Sequence, residues 1–308
     1  IIVTEINRAW KYTCELTELS KIVILLYSVI CFILISADFA ITALSQGVTS
    51  DGKESYPSFT AKSNESEDIT VIDAVGDIDC SSRFHDGIFK DKPTLFIVLG
   101  DLCYKRDLTN FTVTYGDFKN TNKLECVIGN HDSEENGNLR ILNQALEYCG
   151  DHWYRKVANN STLLIGLNTN GNTTLQTNWG QVLVTNSSFM KGIVNVIILS
   201  HKPAHTPPGS DHMPENSTIK MFSAIVNSTP NNIRVFEVAA HNHLMAESSN
   251  GQWFISGAGS KKLYNFSPDS NWPFINNKEQ GYLQFKINNT DGMVLSTHFY
   301  GIDGGLIH

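Results

Sequence analysis

The sequence has little of what a nucleic-acid-binding surface needs. Its 23 Lys and Arg stand against 31 Asp and Glu, a formal charge of −8, where such a surface would show a basic patch. It has only six cysteines, and none falls in zinc-finger spacing. No tandem repeat is apparent. What is present is ordinary for a globular protein: 41% hydrophobic and 18% charged residues allow a sizeable core. The 308 residues have room for one large domain or two small ones.

The first 50 residues differ from the rest. Residues 22–44 are apolar apart from one formal charge, Asp38, and follow Lys21, with Arg8 and Lys11 further upstream. About 20 apolar residues suffice to span a bilayer. The basic flank predicts a short cytoplasmic leader at 1–21, a membrane anchor at 22–44 and export of everything after it. A cleaved signal is the rival expectation, with Ala43 and Ser45 placed for cleavage before Gln46. Residues 45–68, rich in Ser, Gly, Lys and Glu with Pro57, read as a flexible tether to a domain at 69–308. Ten Asn-x-Ser/Thr acceptors, from Asn64 to Asn288, all lie beyond the apolar segment, which fits an exported glycoprotein. Cys80, Cys103, Cys126 and Cys149 could form two disulfides in any of three pairings. Cys126, in an apolar strand, reads as a buried thiol rather than a bridge.

Five runs of strand-like residues end in groups that bind metals. Gly76-Asp77 follows 71–75, Gly100-Asp101-Leu102-Cys103-Tyr104 follows 95–99, and Gly129-Asn130-His131-Asp132 follows 126–128. Ser200-His201 follows 194–199, and His241-Asn242-His243 follows 235–240. Ligands collect at the carboxyl ends of strands in α/β sheets, so these ends predict a site for two metal ions. Further strands are expected at 162–167 and 253–255, and helices at 138–149 and 217–226. A closing hairpin is expected from 281–287 and 293–300. Strands outnumber helices, which favours an α/β fold of two packed mixed sheets with helices outside.

In order and spacing these motifs resemble the calcineurin-like metallophosphoesterase superfamily, and Tyr104 resembles its purple acid phosphatase branch. The resemblance implies a four-layer sandwich and a metal-dependent phosphoester hydrolase, most simply an extracytoplasmic phosphomonoesterase. A phosphodiesterase acting on nucleotides or lipid head groups is the alternative, followed by a non-catalytic surface domain. Asp101 would bridge two cations, with Asp77, His243 and Tyr104 on the first and Asn130, His201 and His241 on the second. Mixed oxygen and nitrogen donors suit Fe, Mn or Zn, and iron is favoured at the first site if Tyr104 ligates. His131 is implied as the group that helps protonate the leaving oxygen or stabilises the transition state, Asp132 as the residue orienting its imidazole, and His205 as a phosphate contact. Asp79 stands where the superfamily has a histidine, and Ala240 where it has glycine. Asp79 is thus open between ligand, hydrogen-bond acceptor and solvated carboxylate. Cys103 reads as a packed thiol or disulfide. His85, His152 and His212 have no partner pattern and read as surface residues. Loops 206–215 and 261–273 are expected to set specificity.

Overall fold

Alternating burial along the strands sorts the chain into layers. In the strand Asn195–Ser200, Ile197 and Leu199 pack against the other sheet, while Val196 and Ile198 pack against helices. A computed structural model describes residues 68–104, 108–133, 139–149, 153–259, 261–266 and 269–308. The expected leader, the apolar segment and the tether up to residue 67 lie outside these, as does His152. No helix among the described residues is long and apolar enough to cross a membrane.

The elements begin with β1 (Ile69–Val75), α1 (Arg83–Asp91), β2 (Leu95–Val98), α2 (Thr109–Asn120), β3 (Leu124–Cys126) and α3 (Leu139–Cys149). The middle of the chain forms β4 (Tyr154–Asn159), β5 (Thr162–Leu167), α4 (Thr173–Thr185), β6 (Asn195–Ser200), α5 (Asn216–Ser228) and β7 (Arg234–Ala239). It closes with β8 (Met245–Glu247), β9 (Trp253–Ser256), β10 (Phe274–Asn276), β11 (Gly281–Asn288) and β12 (Val294–Gly301). One sheet runs β12-β11-β1-β2-β3 and the other β10-β8-β9-β7-β6-β5-β4. Within them, β1, β2 and β3 are parallel, as are β5, β6, β7 and β9. The expected hairpin is the antiparallel pair β11 and β12.

The two sheets face each other across a core built from Ile72, Ile97, Leu164, Leu199, Val238, Phe254 and Phe285, among others. Phe84, Ile88, Phe111, Tyr115, Phe118 and Leu142 cover the outer face of the smaller sheet from α1, α2 and α3. Leu183, Met221, Phe222 and Ile225 cover the larger one from α4 and α5. This is the expected four-layer α/β sandwich. It aims the carboxyl ends of β1, β2, β3, β6 and β7 at one edge.

Two disulfides brace that edge. Cys80–Cys103 ties the segment after β1 to the segment after β2, and Cys126–Cys149 ties the last residue of β3 to the last residue of α3. The expectation that Cys126 is a free thiol is corrected. It is buried, but α3 brings the Cys149 Cα to within 5.2 Å of its own, a separation that suits a bridge.

One buried carboxyl in this frame is a liability. Asp73, on the helix-facing side of β1, receives a hydrogen bond from Gln284 on one oxygen, while the other has no partner. Burial pushes it up to about 8, more than the Gln284 bond offsets. The folded protein therefore keeps a proton that the unfolded chain releases near pH 4. Its stability contribution is fully present below that pH and falls by roughly 1.4 kcal/mol per unit until pH passes about 8. Asp73→Asn, which cannot ionise, is expected to raise Tm relative to the parent at pH 7 but not at pH 4. An equal Tm difference at both pH values would refute this assignment.

Candidate metal centre

The candidate ligands lie just past the strand ends in backbone conformations that side chains seldom adopt. Asp77, Asp101 and His241 have φ of 57°, 52° and 67°, the left-handed region in which Asp and His are among the few tolerated residues. Such strain gathers where a site needs it. Close approach explains two glycines between them. A Cβ on Gly129 would lie 2.1 Å from Asp101 Oδ1, and one on Gly100 would lie 2.7 Å from His201 Nδ1. Ala240, the departure from glycine, fits because its neighbour has no side chain. A Cβ on Gly76 would sit 2.3 Å from the Ala240 methyl.

Two groups of donor atoms form here. In one, the Tyr104 hydroxyl lies 2.7 Å from Asp77 Oδ1 and 3.2 Å from His243 Nε2. His243 Nδ1 lies 3.1 Å from the Lys262 carbonyl, which fixes the tautomer with the Nε2 lone pair turned inward. In the other, His201 Nε2 lies 2.9 Å from Asn130 Oδ1 and 3.2 Å from His241 Nδ1. The Leu99 carbonyl, 2.7 Å from His201 Nδ1, orients that ring in the same way. Asp101 adjoins the second group, with Oδ1 3.4 Å from His201 Nε2. One ligand atom each from Asp77, Asp101 and His201 fall within 4.8 Å of one another. Converging lone pairs from carboxylate, amide, imidazole and phenol, with few protons between them, suit cations of the Fe, Mn or Zn type.

The electrostatics point the same way. Burial alone would raise Asp77, but the His243 hydrogen bond and the charges that His201 and His243 carry when their Nε2 atoms are protonated outweigh it and hold the carboxyl low. Burial, then the nearby His201 and His212, push His241 down to about 2, leaving its ring neutral. Burial, then the charges of Asp77 and Asp101, raise the Tyr104 phenol. A cation at this point would oppose that effect.

The neighbours differ in several ways from what the sequence suggests. His131 belongs to the site: its N–H donates to Asp101 Oδ1 at 2.9 Å, its ring centroid is 4.2 Å from that of Tyr104, and its side chain is 40% exposed. Asp132 does not act as its dedicated partner. Its oxygens accept from the N–H groups of Leu102 and Gly129, so it joins two ligand loops. Burial, then Asp101, raise this carboxyl. Asp79 accepts from the Tyr104 N–H at 2.9 Å with one oxygen and pairs with Lys261 at 3.2 Å with the other. It is thus an acceptor, not a member of either donor group. Cys103 is a disulfide.

His205 is not brought to the centre, contrary to expectation. Its Nδ1 lies 2.6 Å from Glu237, and its ring borders a separate cavity of about 380 Å³ with Phe222 and Trp253. His212 makes the opposite correction. It stacks on His241 with centroids 4.1 Å apart and meets the Tyr264 hydroxyl at 3.0 Å. Asn242, the middle residue of His-x-His, holds it by hydrogen bonds in both directions. Tyr264 in turn stacks on His243 at 4.4 Å. Sequence spacing gave no sign of Lys261, Tyr264 or His212 individually, although all three lie in the loops assigned to specificity.

A family model described as calcineurin-like phosphoesterase matches residues 71–244. Among solved structures, the chain is similar to a Plasmodium protein, GAP50, described as the anchor in the inner membrane complex. That likeness has 13% identity and a TM-score of 0.52, covering 76% of this chain and 89% of the other. The chain is also similar to the purple acid phosphatase PPD1 of yellow lupin (Lupinus luteus) seeds. Here identity is 12% and the TM-score 0.51, covering 76% of this chain and 54% of the other. At such identities the likeness is one of fold. No curated protein matches the chain.

The roles of the two neighbouring aspartates can be separated by elemental analysis. Asp79→Ala is expected to retain both metal ions per chain, because its oxygens are committed to Tyr104 and Lys261. Asp101→Ala is expected to lose at least one. Loss of an ion in Asp79→Ala would make Asp79 a ligand after all.

Proposed function

The chain belongs to the calcineurin-like phosphoesterase family, whose members hydrolyse phosphoric esters, and we propose that it is an exported phosphomonoesterase. Membership implies a dinuclear metal centre, which when bound supplies a solvent-derived hydroxide near neutral pH and a clamp for the phosphoryl oxygens. In this reading Asp77, Tyr104 and His243 would hold the first ion and Asn130, His201 and His241 the second, with Asp101 available to both. The choice of monoesterase comes through the resemblance to purple acid phosphatases, and one observation supports it: the Tyr104 hydroxyl lies within hydrogen-bond distance of both Asp77 and His243, where a phenolic ligand of that kind would stand. Manganese or zinc suits the Asn130, His201 and His241 set.

The remaining residues bind, orient and move protons. His131, anchored through its backbone and partly open to solvent, protonates the leaving oxygen, an action typically worth about 10²–10⁴-fold. Asp132 keeps the Leu102 and Gly129 N–H groups, and hence the Asp101 and Asn130 loops, in register. The 206–215 and 261–273 loops border a cavity of about 600 Å³ lined by Pro208, Asn265, Phe266, Asn277 and Lys278. In this reading the alcohol side of the ester meets these loops.

Export is supported by two disulfides, which persist in oxidising compartments, by the acceptor asparagines and by the basic-flanked apolar segment at 22–44. The GAP50 likeness raises a second reading, an anchor without turnover, because one fold serves several functions. The complete donor set and a well-placed His131 favour catalysis.

The metal-loaded protein is expected to hydrolyse p-nitrophenyl phosphate with a higher kcat/KM than bis-p-nitrophenyl phosphate. The reverse order would make it a diesterase. His131→Ala should lower kcat by about 10²-fold or more at unchanged metal content. Equal turnover in that variant would remove His131 from the mechanism. In an iron-loaded sample a visible charge-transfer band should vanish in Tyr104→Phe, and its persistence would exclude Tyr104 as a ligand.

A further inference from the structure

Glu237 is an unusual residue for the middle of a buried strand. It is 1% exposed on the face of β7 that α5 covers, and an ionised carboxylate taken out of water is costly unless well paired. Both of its oxygens turn to the same short segment. Oε1 accepts from the Ala204 N–H, and Oε2 lies 2.6 Å from His205 Nδ1. The His205 ring then lies flat on the Trp253 indole, with centroids 3.8 Å apart and planes 2° apart, and meets Phe222 edge-on at 5.3 Å. That segment starts at His201. Its other end is held by the Ala240 N–H, which donates to the His201 carbonyl at 3.0 Å, and by Thr169, which accepts from the Lys202 N–H.

We propose that Glu237 is a positioning residue for the second metal ion, clamping Ala204 and His205 so that His201 stands correctly against His241 and Asn130. The inference rests on the dinuclear reading given above. Its main support is that β7 serves both imidazoles of that set. The strand leads directly into His241, and its Glu237 carboxylate holds the segment that carries His201. A single rigid strand thereby sets the 3.2 Å separation between His201 Nε2 and His241 Nδ1. Partners that orient ligands in this way typically change metal affinity by about 10–100-fold when removed.

A role confined to stability predicts something different. Glu237→Leu removes one partner only and leaves the buried Ala204 N–H and the His205 Nδ1 without their acceptor, so it is expected to lower stability in any case. A loss of stability alone would weaken both ions alike, and a metal titration of the full chain separates that from a selective loss at the second. With Mn²⁺ or Zn²⁺ followed by calorimetry, Glu237→Leu is expected to weaken the second ion by about 10–100-fold. It should leave the first ion within about twofold, whatever the loss in Tm. Glu237→Gln, which keeps an acceptor for Ala204, should recover most of the affinity. His205→Phe preserves the ring stack on Trp253 but removes Nδ1, and should weaken the second ion several-fold. If Glu237→Leu does not fold, His205→Phe alone decides the matter. Unchanged second-ion affinity, or equal weakening of both ions, overturns the positioning role. A parent chain that binds a single ion overturns the dinuclear reading, and this inference with it.

Discussion

The site depends on how closely the two sheets can approach at the ends of their strands. Gly76 N–H donates to the Ser256 carbonyl at 2.8 Å, and the Ser256 hydroxyl returns a hydrogen bond to the Ala74 carbonyl at 2.8 Å. These bonds join β1 of one sheet to β9 of the other. Gly76 against Ala240 tightens the same seam. Only across a seam this narrow can Asp77 of the smaller sheet accept the His241 N–H of the larger one at 2.9 Å. Likewise, only there can His201 of the larger sheet reach the Leu99 carbonyl of the smaller one. A side chain at Gly76 or Gly129 would drive the donor groups apart before it altered the hydrophobic core.

Gathering carboxylates in so dry a place requires donors for each of them, and the backbone provides most. Asp77 takes the His241 N–H, Asp101 the His131 N–H, and Asp132 those of Leu102 and Gly129. Hydrogen bonds to a charged acceptor are roughly twice as strong as neutral ones. They are also directional, so each fixes a turn as well as a charge. The strained φ angles at Asp77, Asp101 and His241 are held by these bonds, and the Cys80–Cys103 bridge closes the pair of turns that carries Asp77 and Asp101. The acidic residues thus hold their own loops in the shape that groups them.

The five ligand-bearing strand ends were legible because two signals coincide there: a short apolar run and a polar residue at its end. The closing hairpin and the helices now seen as α3 and α5 were also legible, from turn residues and helical spacing. The helices α1, α2 and α4 were not. The sequence Thr-Asn-Phe-Thr-Val-Thr-Tyr of α2 and the Thr-rich α4 are full of β-branched and aromatic residues, which favour strands locally. Packing of Phe111, Tyr115 and Leu183 on the sheets overrides that preference. At the site, ligand types followed from spacing, but contacts made by loops did not. His205 and His212 lie in one stretch, yet the first turns to Glu237 and the second to His241. That outcome depends on Glu237, which belongs to no motif, and on Asn242, which fills the unspecified middle place of His-x-His; both lie far along the chain.

The two departures from the resembled pattern hold together when read as pairs. A histidine at position 79 could offer a nitrogen to a metal, but it could give Lys261 no negative partner. Asp79 instead fixes the Tyr104 backbone and holds the Lys261 ammonium, which lies 3.7 Å from the centre of the Tyr104 ring. Cation–π attraction at this range, added to the ion pair, limits how Tyr104 can move. Losing a ligand at position 79 therefore goes with a better-held phenol at position 104. In the same way, a methyl at Ala240 goes with its absence at Gly76. Each change by itself would count against an intact centre. Together they leave both groups of donors in place around Asp77 and Asp101.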